Sequence, residues 1–131
     1  MSVELNMLVY STALLLVLIL VQATAGVLAQ GLAPMAGSRD DLPPPMPFQS
    51  RTKRVVDNHR EGLTLFAPLV LVAAIAHITN NWTVLGAQLF FYSRVVHAVL
   101  YLLGVAWVRP LAWTVGIVGA GLVLKSLLGL I

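Results

Sequence analysis

Arg94, His97 and Tyr101 lie inside "SRVVHAVLY", residues 93–101, in a stretch otherwise dominated by Leu, Val, Ala and Phe. Their i, i+3 and i+7 spacing places them on one face of a helix. Arg54, Asn58 and Glu61, at i, i+4 and i+7, form a second polar stripe upstream. A lone arginine at the centre of a membrane helix costs roughly 2.5–3.5 kcal/mol on insertion scales. Such a residue must therefore face a protein-lined cavity and find a partner. Glu61 is read as the only membrane-embedded acid, so an ion pair between Glu61 and Arg94, within a subunit or across an interface, is expected. Other chemistries lack their residues. There is no Ser/His/Asp set, phosphate loop, carboxylate dyad or HExxH. His59, His77 and His97 are too far apart to form a metal site. His59 is read as facing headgroups and His77 as a hydrogen-bonded core histidine.

These stripes need helices to hold them. The chain has 131 residues, 59% hydrophobic and only 10% charged, with mean hydropathy +0.90. That is the composition of a small polytopic membrane protein. It has no cysteine, which excludes disulfides and cysteine metal sites. The net charge of +3 comes from a few basic residues near the expected membrane surfaces. They are not interleaved with aromatics as nucleic-acid binding would require.

Residues 1–131 read as one all-α membrane domain of four transmembrane helices, at about 6–30, 52–78, 82–108 and 111–129. The first apolar run lacks a positive n-region and is too long for a signal peptide, so it is read as a retained helix. The prolines of "GLAPMAGSRDDLPPPMPFQS" make the first connection a loop. "TNNW" closes the second helix, and Arg109–Pro110 closes the third. Arg39, Arg51, Lys53, Arg54, Arg60 and Arg109 cluster in or beside the 1–2 and 3–4 connections. The positive-inside rule then puts those loops in the cytoplasm and both termini outside. Both polar stripes fall in the cytoplasmic half of the bilayer. Gly26, Gly116, Gly119, Ala120 and Gly121 would allow close helix contacts.

The paired motifs, Arg54–Asn58–Glu61 and Arg94–His97–Tyr101, resemble the MAPEG family, the membrane-associated proteins of eicosanoid and glutathione metabolism. The chain looks like a bacterial-type member. Around "RVVHAVLY" it is similar to the microsomal prostaglandin E synthase and glutathione transferase branch. The resemblance implies a four-helix-bundle subunit in a homotrimer, with a glutathione site between subunits that opens to the cytoplasm. It implies that Arg54, Asn58, Glu61, Arg94, His97 and Tyr101 line that site, with glutathione as co-substrate. Arg109 would be the thiolate-stabilising arginine and Tyr101 a second catalytic group. A lipophilic electrophile would arrive from the bilayer, here a bacterial inner membrane. Anionic glutathione suits arginines, and a guanidinium near the sulfur favours the thiolate. The chain departs from the family in three places. Gln22 and Gln30 stand where helix 1 of relatives carries a basic residue. The proline after the helix 2 glutamate is displaced to Pro68. Pro110 follows Arg109 in place of a serine. A non-catalytic MAPEG-like protein that binds lipid or a partner, and a proton-coupled transporter using Glu61, are the competing readings.

Overall fold

The computed structural model describes residues 1–131. Four long helices and one short one make up the fold: α1 (Val3–Gln30), α2 (Leu32–Ala36), α3 (Pro47–Ile75), α4 (Asn81–Leu102) and α5 (Arg109–Leu127). There are no strands. α1, α4 and α5 are each long and apolar enough to cross a membrane. α3 carries its charge in the first half, from Arg51 to Glu61, and becomes apolar only from Gly62 onward.

Local chemistry explains most of the helix ends. Ser2 caps α1, its Oγ accepting from Leu5 N at 3.2 Å. Asn80 caps α4: its Oδ1 accepts from Trp82 N and Thr83 N, and Thr83 Oγ1 accepts from Asn80 N. α3 starts at Pro47, earlier than the expected residue 52, because proline suits a first helical turn, where no intrahelical N–H partner is lost.

Two helices stop short of their expected ends for one reason. At α4, Gly104 adopts φ 76°, Val105 N bonds back to Leu100 O, and Gly104 N bonds to Tyr101 O. This is a Schellman stop, so α4 ends at Leu102 rather than 108. α3 ends at Ile75 in the same way, with His77 at φ 55° in the left-handed position. Arg109 therefore does not close the third helix; it opens α5.

α4 packs most extensively on α5, and α1 on α3. The main core joins Met7, Leu63, Phe66, Val70, Ala87, Phe90, Ala120 and Val123. Phe66 and Phe90 stack within it, centroids 4.0 Å apart. A smaller core of Leu18, Val55, Val56 and Ala98 lies nearer the α1–α3 connection. α4 and α5 approach closely enough that a Cβ on Gly86 would sit 2.5 Å from Gly119 O. Gly116 and Gly119 thus serve packing within the subunit, while a Cβ on Gly121 would meet nothing.

Candidate functional site

Arg94 lies on α4, eight residues before its end, or roughly 12 Å along the axis. It is 2% exposed, and two glycines make room for it. A Cβ on Gly116 of α5 would lie 3.3 Å from Arg94 Cδ, and one on Gly62 of α3 would lie 3.7 Å from Arg94 Nε. The guanidinium reaches α3, where Arg94 Nη2 donates to Asn58 Oδ1. Nε has no hydrogen-bond partner.

Within the subunit, Arg94 and Glu61 form no ion pair. Glu61 is exposed on the subunit surface, and the two ion pairs of the chain are Lys53–Asp57 at 2.8 Å and Arg60–Asp57 at 3.8 Å. Asn58 takes Glu61's place because it sits one turn earlier on α3, on the side facing α4. A neutral amide oxygen there satisfies a guanidinium N–H without bringing a second charge out of water.

The remaining α4 residues continue the row. His97 is buried and meets the Tyr101 ring edge-on, centroids 5.4 Å apart. Arg109, from the start of α5, places its guanidinium carbon 4.4 Å above the same ring, a cation–π contact. The link 103–108 is what brings Arg109 back over Tyr101. Asn58, Arg94, His97, Tyr101 and Arg109 therefore form one continuous polar track across α3, α4 and α5. Arg54 is exposed and enters no ion pair or side-chain hydrogen bond, so the structure does not bring it or Glu61 into this contact network.

Two polar residues were placed wrongly by sequence reasoning. His59 is buried, not turned to headgroups; its Nε2 bonds to Ser11 O of α1 at 2.7 Å. His59 falls on the face made by Val55, Val56 and Leu63, and that periodicity was the available signal. His77, expected in the core, is exposed at the α3 stop. Glu4 is the third surprise. It is 3% exposed, and its Oε1 accepts from Thr79 Oγ1 at 2.7 Å and from Thr83 Oγ1. It thereby closes the opposite end of the molecule, so Glu61 is not the chain's buried acid. No group of His, Asp and Glu side chains is arranged to hold a metal.

The MAPEG family model matches residues 7–128, a span that contains every residue of the track. The chain belongs to the MAPEG family. A search of curated proteins and of solved structures found no match. As a MAPEG protein with three apolar helices of spanning length, it is an integral membrane protein. MAPEG membership is consistent with glutathione-related chemistry in a membrane.

Proposed function

We propose that the protein is a membrane-bound, glutathione-dependent transferase that acts on a lipophilic electrophile; peroxidase or isomerase activity would use the same thiol chemistry. The carrying observation is Arg94, a buried cation anchored by Asn58 with its Nε unpartnered, at the head of the row His97–Tyr101–Arg109. A guanidinium with spare donors suits the carboxylates of an anionic tripeptide. Glu61, exposed beside Gly62, is available to an amino group. Arg109 stabilises the thiolate, and the Tyr101 hydroxyl orients it. In transfer, the thiol proton leaves to solvent, sulfur forms the bond to the electrophilic carbon, and the leaving group departs with its electron pair.

Charge placement supports the wider assembly. Arg54 and Glu61 lie exposed along α3 on an isolated subunit. Polar side chains at membrane depth are costly against lipid, and a neighbouring subunit would cover them. This favours α3 as a fourth span and a homotrimer with the site completed between subunits, in the manner of the prostaglandin E synthase and glutathione transferase branch. The basic residues around 39–60 and at 109 support a site on the cytoplasmic side, and the proposal takes the membrane to be a bacterial inner membrane.

The second reading is a non-catalytic MAPEG protein that binds lipid or a partner. The uncharged Gln22 and Gln30 on α1 favour it. A proton-coupled transporter gains no support from an exposed Glu61. Titration of purified protein with glutathione, followed by conjugation of a generic aromatic electrophile, separates these readings. Binding with turnover is expected, and Tyr101→Phe should keep binding while lowering turnover. Binding without turnover would select the second reading. Absence of both would sink the thiol site.

A further inference from the structure

Next to the proposed thiol site, and sharing Arg54 with it, is a cavity of about 460 Å³ between α1, the 31–46 segment and the start of α3. Its polar lining is Gln22 and Gln30 from α1, Arg39 from the connection, and Gln49, Ser50, Lys53 and Arg54 from α3. Three of these seven are cations, and no acidic residue lines the cavity.

The wall is braced from within. Gln30 Nε2 donates to Gln49 Oε1 at 3.2 Å, and the same oxygen accepts from Met46 N at 3.3 Å, tying the proline segment to both helices. Arg39 is held at φ 67°, a conformation uncommon for a residue with a side chain. Its Nε donates to Met35 O at 2.7 Å, which leaves both terminal guanidinium nitrogens free. Asp40 and Asp41 line an adjoining hollow that shares Gln30, Arg39, Leu42 and Pro43 with the cavity, and neither forms an ion pair with Arg39. Arg54 is likewise uncommitted, as is the Gln22 amide. Only Lys53 has an acidic partner, Asp57 at 2.8 Å.

We propose that this cavity is an anion site for a phosphate group, carried by a phospholipid headgroup or by a soluble phosphate. Two guanidiniums carried on different elements and lining one cavity, with an ammonium and amides beside them, supply donors from several directions, which suits a tetrahedral oxyanion. Depth agrees. The 28 residues of α1 extend about 42 Å, close to the roughly 40–45 Å of a bilayer with its headgroups. Gln30 ends α1 at headgroup level, and Gln22 lies about 12 Å deeper, where acyl chains begin. The site adjoins the thiol site: Arg54 is common to both, and Gln22 and Gln30 stand where helix 1 of relatives carries a basic residue, so the variants below leave all three intact.

The test uses purified, delipidated full-length protein and three probes: inorganic phosphate, short-chain phosphatidylglycerol and short-chain phosphatidylcholine. Binding is read by thermal shift and by native mass spectrometry. Phosphate or phosphatidylglycerol should raise the unfolding midpoint and phosphatidylcholine should not. Preference for phosphatidylglycerol assigns a lipid headgroup, and preference for phosphate a soluble ligand. R39Q/K53Q removes only exposed contacts, the Arg39 bond to Met35 O and the Lys53–Asp57 surface pair, so its unliganded midpoint should stay close to wild type. Its affinity for the anionic probe should fall roughly tenfold or more, the worth of one charge-assisted hydrogen bond, and R39K should recover part of it. Glutathione affinity should be unchanged in R39Q/K53Q. The proposal is overturned if neither anionic probe binds wild type, if R39Q/K53Q binds the probe as wild type does, or if it loses glutathione in parallel.

Discussion

Arg94 shows how one residue can be costly and still be kept. Its stem packs through Cδ against Gly116 while Nε lies over Gly62, so packing and charge are largely separable. Arg94→Met retains the stem and removes the charge. It should melt close to wild type and lose glutathione binding. Asn58→Ala leaves the cation in place without its acceptor and should lower stability by about 1.5–3 kcal/mol, the usual worth of a hydrogen bond to a charged group. Glu61→Gln should leave the melting temperature unchanged, since Glu61 is exposed and unpaired, while weakening glutathione binding. Thermal unfolding alongside glutathione titration reads all three. An Arg94→Met protein that binds glutathione normally would remove Arg94 from the site.

At the scale of elements, the α4–α5 contact is the most sensitive. A Cβ on Gly86 or Gly119 meets backbone oxygen at 2.5 Å, closer than real contacts allow, so the helices must separate. Gly86→Ala and Gly119→Ala should each destabilise by about 1–3 kcal/mol or more, as overpacked cores do. Gly121→Ala faces open space and should be neutral or slightly stabilising in an isolated subunit. Detergent melting curves for the three variants check this ranking. If Gly121→Ala instead abolished assembly while leaving the subunit folded, α5 would have a second interface. The α4 stop matters for a different reason. Gly104 ends the helix early enough for the chain to turn and set Arg109 over Tyr101, whereas a helix continued to 108 would carry the arginine beyond reach.

For the whole molecule, the distribution of charge has a direct test. With no native cysteine, a single Asp40→Cys gives an unambiguous reporter of sidedness. Labelling of intact cells by a membrane-impermeant reagent should fail at residue 40 and succeed only after permeabilisation. Labelling in intact cells would invert the topology and place the thiol site away from cytoplasmic glutathione. Native mass spectrometry in mild detergent should give a trimer. A monomer alone would leave Arg54 and Glu61 facing lipid and argue against a shared site.

Much of this architecture was legible in the chain itself. Apolar runs long enough to cross a bilayer, separated by proline and basic residues, announce membrane helices because hydrocarbon thickness sets a length that composition can meet or miss. The two polar stripes were equally readable, since helical periodicity is a local property. What lay outside local pattern came from contacts between residues far apart in sequence. Gly104 as a stop was hidden by the apolar residues on either side of it. The pairing of Arg94 with Asn58 rather than Glu61 depends on how α3 is rotated against α4, which a one-turn ambiguity in the stripe cannot resolve. The burial of His59 against Ser11, and of Glu4 against Thr79 and Thr83, joins residues 48, 75 and 79 positions apart. Only tertiary packing decides such pairs, because a buried polar group takes whichever partner the neighbouring helix presents at its depth.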